Sequence, residues 1–119
     1  MLTEIGKELR KLRIDRGERL LDMASRINKS TSFLSAVEVG TKAPPAGLED
    51  EIATAYDLAP DVRANLRRAA DRSRRAFTVE ANSATARDTA AMFARKINNL
   101  SDQQLEQINS ILQGGARTD

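Results

Sequence analysis

Few side chains in this 119-residue chain could carry out covalent chemistry. It has no cysteine and no histidine. Thiol nucleophiles, disulfides, the usual zinc ligands and imidazole acid–base catalysis are therefore all removed together. Serine, lysine and carboxylate chemistry remain, yet their spacing assembles no nucleophile–base pair and no metal cluster. The sequence reads as that of a non-enzyme with no metal or cofactor. What it does hold is a group suited to hydrogen bonding. Thr31, Ser32 and Ser35 set short hydroxyls along residues 30–39, with Lys29 just before that stretch and Thr41 and Lys42 just after it. Leu34 and Val37 fall between the hydroxyls at helical spacing, which predicts an apolar inner face and a short, polar outer one.

Those residues need a frame, and hydrophobic periodicity predicts a helical one. A first helix follows Thr3, a suitable N-cap, with Ile5, Leu9 and Leu12 on one face, and stops at Gly17. Leu20, Met23, Ala24 and Ile27 recur at i, i+3, i+4 and i+7 as a short second helix, interrupted at Asn28-Lys29. Ser30 caps a third helix and Gly40 ends it. Residues 42–45 contain Pro44 and Pro45 and read as an extended connector. Leu48, Ile52, Ala55 and Tyr56 mark a fourth helix. A fifth spans 60–75, with Val62, Leu66, Ala69, Ala70 and Ser73 inward. The weak alternation over 76–81, with Phe77, Thr78 and Val79, predicts a short strand. Ala86, Ala90, Phe93, Ala94 and Ile97 form a sixth helical stripe. Ser101 to Gln104 read as a capping box for a seventh helix bearing Leu105, Ile108, Ile111 and Leu112.

Composition agrees with an all-α fold. Aromatic residues make up only 3% of the chain, too few for a large β-sandwich. Net charge is +2, but its distribution is uneven. Residues 1–42 carry nine bases against six acids, 43–61 carry five acids and no base, and 62–76 carry six arginines against Asp71. No apolar run is long enough to span a membrane, and residues 1–10 lack the apolar core of a signal peptide, so a cytoplasmic location is expected.

Two short helices joined by a tight turn, the second opening on a small hydroxyl residue, form the helix-turn-helix signature. Ala24 supplies the small residue needed where such helices cross, and Asn28 tolerates a left-handed turn. Further marks are the run from Leu9 to Arg13, Gly17, Met23-Ala24, Ser30, Leu34-Ser35, Glu38 two residues before Gly40, and Pro44. On these marks residues 5–58 resemble the phage-repressor-like (Xre/Cro) family of bacterial and phage regulators. The resemblance implies a five-helix repressor-like domain that binds double-stranded DNA, with Arg13 and Glu38 as a structural ion pair. It also implies base contacts from Thr31, Ser32, Ser35 and Ala36, and phosphate contacts from Lys29, Thr41, Lys42 and Arg19. Short hydroxyls discriminate bases less sharply than Arg or Gln, because they make no bidentate contact. Three positions depart from the family pattern: Leu20 replaces a common Gln, Arg19 the usual Thr N-cap, and Asn28 the usual Gly.

The domains expected are a DNA-binding domain over 1–60, the Arg-rich helix with a C-terminal helical pair over 61–113, and a flexible tail over 114–119. Phe33 either packs beneath its helix or projects toward the groove. The arginines of the fifth helix, Arg67 and Arg74 among them, either pattern a solvated face or extend the phosphate footprint. The C-terminal pair either completes the monomer core or supplies a homodimer interface, with 76–81 pairing across the two-fold. Dimerisation is the preferred reading, because one such module buries little and dimers read two half-sites. A homodimeric repressor is therefore expected. The second reading is an antitoxin that binds a protein toxin and regulates its own operator.

Overall fold

The computed structural model describes residues 1–114, so the expected tail, Gly114 apart, lies outside the described residues. The order of elements is α1 (Glu4–Arg16), α2 (Leu20–Arg26), α3 (Thr31–Val39), α4 (Leu48–Ala55), α5 (Pro60–Arg72), α6 (Ala84–Lys96), a 3₁₀ turn (Ile97–Asn99) and α7 (Asp102–Leu112). The fold is all-helical. No described helix is long and apolar enough to cross a membrane.

Local chemistry sets most of these boundaries. Thr3, Ser30, Ser83 and Ser101 each accept a hydrogen bond from a first-turn amide of the helix that follows. Three helices end in the same way, with a left-handed residue and a backward amide bond. Gly17, Asn28 and Asp57 have φ of 64°, 58° and 50°. The next amides then reach Arg13, Ala24 and Ala53 carbonyls at 2.9, 2.9 and 3.0 Å. The Arg19 side chain is no cap to α2. Instead the Asp22 carboxylate accepts from the Arg19 amide at 2.8 Å.

The chain divides into two units, Met1–Phe77 and, among the described residues, Thr78–Gly114. The first has one core, built from Ile5 and Leu9 of α1, Met23 and Ala24 of α2, Leu34 and Val37 of α3, Leu48, Ile52 and Tyr56 at α4, and Leu66, Ala69 and Ala70 of α5. α5 packs on both α1 and α4. It therefore belongs with the first unit, and the boundary lies beyond the expected division after residue 60. Val62 does not face inward but is 42% exposed. It lies in the first turn of α5, one turn before the buried Leu66.

Residues 76–81 form no strand, and no strand occurs among the described residues. Alternating β-formers do not suffice where no partner edge satisfies their amides and carbonyls. Phe77 and Val79 remain 62% and 72% exposed. Within the second unit α6 and α7 do not pack along each other, and none of its described residues is buried.

One close approach decides how α1 meets α3. Gly6 is buried, and a Cβ added there would overlap the Glu38 carbonyl oxygen, a backbone atom that cannot swing aside. Helix propensity favours alanine over glycine by about 1 kcal/mol, but forced overpacking costs about 1–3 kcal/mol and should outweigh it. Gly6→Ala is therefore expected to lower stability in urea denaturation; a higher denaturation midpoint would contradict this packing.

Candidate nucleic-acid interface

α3 is held from behind by a buried ion pair. The Arg13 and Glu38 side chains are 8% and 5% exposed. Arg13 Nη1 donates to Glu38 Oε2, and Nη2 donates to Oε1 at 3.2 Å. Nη1 also approaches the Met23 sulfur of α2 at 3.6 Å, so one guanidinium touches all three helices. The Glu38 backbone is engaged too. Its carbonyl accepts from the Thr3 amide at 2.9 Å and the Thr3 hydroxyl at 3.1 Å. The inner face of α3 is fixed by Leu34, Val37 and Glu38, all buried.

The opposite face lies open. Ser32 and Ser35 are exposed, while Thr31 and Ala36 are half-buried. Ser32, Ser35, Ala36 and Val39 share one stripe at i, i+3, i+4 and i+7. Val39 is 45% exposed and escaped the sequence reading, although its spacing from Ser32 would have found it.

Phe33 takes an intermediate position. It is half-buried and packs against the core, and its ring has Lys29 Nζ at 5.7 Å and Lys42 Nζ at 5.8 Å from the centroid. The lysines before and after α3 are thus gathered around one aromatic ring. Lys29 also lies 3.8 Å from Glu51, a distance at the limit of an ion pair. Thr41 turns its hydroxyl back onto the Ala36 carbonyl at 3.3 Å, and the Lys42 amide bonds to the same oxygen at 3.1 Å. Gly40, with φ of 89°, permits that reversal. The exposed Arg19 guanidinium leans on Asp22 at 3.4 Å.

The Arg-rich helix behaves differently from both expectations at one position. Arg74, just past α5, is only 11% exposed and neither patterns a solvated face nor reaches outward. It grips Glu49 through two bonds of 3.1 and 2.7 Å and donates to the Pro44 and Pro45 carbonyls at 2.9 and 2.7 Å. Its donors are thus committed to the α3–α4 connector and the start of α4. Arg67 pairs with Asp50 at 2.7 Å and Arg72 with Glu4 at 3.4 Å. No local pattern marks Arg74 and Glu49 as partners, since 25 residues separate them.

A second cluster braces the α1–α2 turn. The Tyr56 hydroxyl donates to Glu18, which also pairs with Arg26. The guanidiniums of Arg26 and Arg16 lie 4.6 and 5.2 Å from the Tyr56 ring centre. The Tyr56 hydroxyl and Arg26 hold the Glu18 carboxyl below the usual carboxylate range. Burial, with the Glu18 hydrogen bond, pushes the Tyr56 hydroxyl up to about 12. Arg74 likewise lowers Glu49.

No family model, curated protein or solved structure matches the chain.

Two outcomes follow from this geometry. Removing one partner of the buried pair, as in Glu38→Met or Arg13→Met, should cost about 3–5 kcal/mol in urea denaturation. The double variant Arg13→Met/Glu38→Met should recover much of that loss. Additive losses would mean that the two side chains do not act as a pair.

Stability should also fall at both pH extremes. Glu18 and Glu49 are depressed, so their contribution holds above the unfolded value of about 4.3 and is lost as pH falls through the folded values. Tyr56 is raised, so its contribution is whole below about 10 and disappears as pH rises toward about 12. The thermal midpoint should be flat near neutrality, and Tyr56→Phe should shrink the alkaline fall. An alkaline limb unchanged by that substitution contradicts the assignment.

Proposed function

We propose that residues 20–39 act as a helix-turn-helix and that α3 inserts into the major groove of double-stranded DNA, as the resemblance to the Xre/Cro regulators implies. The observation that carries this reading is the contrast between the two faces of α3. One face is locked by Leu34, Val37 and the Arg13–Glu38 pair, while the other presents an open stripe of small side chains. A major groove about 12 Å wide admits an α-helix, and short side chains let it approach the base edges. In this reading Ser32 and Ser35 hydrogen-bond base edges from the centre of the stripe, and Thr31 does so from its margin. Ala36 and Val39 offer apolar contact, for example to a thymine methyl.

Lys29 and Lys42 bind phosphates on either side of the helix. Their shared contact with Phe33 limits how far the two ammonium groups wander before DNA arrives. Thr41 and Arg19 are weaker phosphate candidates, because their partners within the chain lie at 3.3 and 3.4 Å, closer than the 3.8 Å approach of Lys29 to Glu51. Arg74 is withdrawn from the footprint, since its donors are engaged and its side chain is covered. The protein is then a cytoplasmic transcriptional regulator, and blocking a promoter by occupying the groove makes repression its simplest output.

Selection of bound duplexes from a random pool, repeated at two salt concentrations, tests the proposal. A preferred sequence should emerge. Lys29→Ala and Lys42→Ala should weaken all duplexes alike and lower the salt slope by about 1 each, whereas Ser32→Ala and Ser35→Ala should relax the sequence preference. A chain with no preference for any duplex at low salt overturns the reading.

A further inference from the structure

The second unit, residues 78–114, lacks what a folded unit needs. None of its 37 described residues is buried, and α6 and α7 do not pack along each other. Both helices are nevertheless well specified. Each starts at a serine N-cap, α7 within a full capping box, and each carries an apolar stripe. On α6 the stripe is Ala86, Ala90, Phe93 and Ala94, continued by Ile97 of the 3₁₀ turn, and on α7 it is Leu105, Ile108, Ile111 and Leu112. Phe93 remains 39% exposed, Ile111 63% and Leu112 77%. Units below about 40 residues seldom assemble a core alone and usually need a staple or a second chain.

Charge indicates how the missing surface is supplied. α6 carries Arg87, Arg95 and Lys96 against Asp88, a balance of +2, while α7 carries Asp102 and Glu106 with no base, a balance of −2. Pairing α6 with α6, or α7 with α7, sets like charge against like. Pairing α6 with α7 sets opposite signs together, yet the two do not close on each other within one chain. We infer that α6 of one copy docks on α7 of a second copy, and the reverse, giving a two-fold arrangement of four helices with the apolar stripes inside. Such an isologous contact satisfies both stripes of both chains at once. It deepens the sequence expectation of a dimer by assigning the helix pairing, and it does not depend on DNA binding.

Sedimentation equilibrium of the full chain over about 1–100 µM reads the association directly. The chain should dimerise, and Phe93→Glu and Ile108→Glu should each weaken dimerisation by about tenfold or more. The thermal transition of the first unit should be retained in both variants. The chain has no cysteine, so single introduced thiols report pairing cleanly. A mixture of Ala90→Cys and Ile108→Cys proteins should cross-link on oxidation more than either protein alone. A full chain that stays monomeric, or dimers unaffected by both glutamate substitutions, overturns the interface. Ala90→Cys protein that self-links as well as the mixture overturns the pairing. None of these readouts uses DNA, so this inference and the DNA-binding proposal fail separately.

Discussion

The arrangement of the first unit depends on one buried charge pair. Removing a guanidinium and a carboxylate from water costs several kcal/mol per ion, and only close, multiply bonded geometry offsets that cost. Arg13 and Glu38 meet that condition through two contacts, and the pair therefore tolerates little sliding of α1 along α3. The Glu38 carbonyl, bonded to Thr3 and pressed against Gly6, blocks a second direction of movement. Charge pairing and backbone approach thus restrain the same turn of α3. A helix so restrained from one side presents its other side at a defined angle.

Four arginines of the first unit work as struts. Arg13 joins α1 to α3, Arg74 ties the chain after α5 to the α3–α4 connector, and Arg16 and Arg26 both lie over the Tyr56 ring. Their planar, many-donor head groups suit this, because one side chain can satisfy a carboxylate and nearby carbonyls at once. The lysines around Phe33 differ. They keep compact charges beside an aromatic face, with at most a long contact to Glu51. A run of positive residues along the chain therefore does not say which of them is drawn inward, as Arg74 is while Arg67 and Arg72 stay exposed.

The two units differ in how their stability arises. In the first, caps and turns agree with a shared core, so local preference and packing support each other. In the second, caps and amphipathic stripes define two helices, but no core covers them among the described residues. Helices of 13 and 11 residues are marginal on propensity alone, and burial of the apolar stripe normally supplies the difference.

The amino-acid sequence alone determined the helices, because helix caps and apolar spacing act within a few residues. Thr3, Ser30 and Ser101 as starts, Gly17, Asn28 and Gly40 as stops, and the apolar faces of α1 to α4 were all legible. So were the exposed Ser32 and Ser35. Matters between distant residues were not. Whether α5 belonged to the first unit rested on a face shared with α1 and α4. Whether 76–81 became a strand rested on a partner edge that no local pattern encodes. Arg74 looked like one more surface cation until the fold brought Glu49 and two proline carbonyls around it. Gly6 looked unremarkable until the Glu38 backbone lay against it. Tertiary structure decided these points, because an ion pair or a close approach depends on where two chain segments meet, and periodicity within either segment carries no record of that.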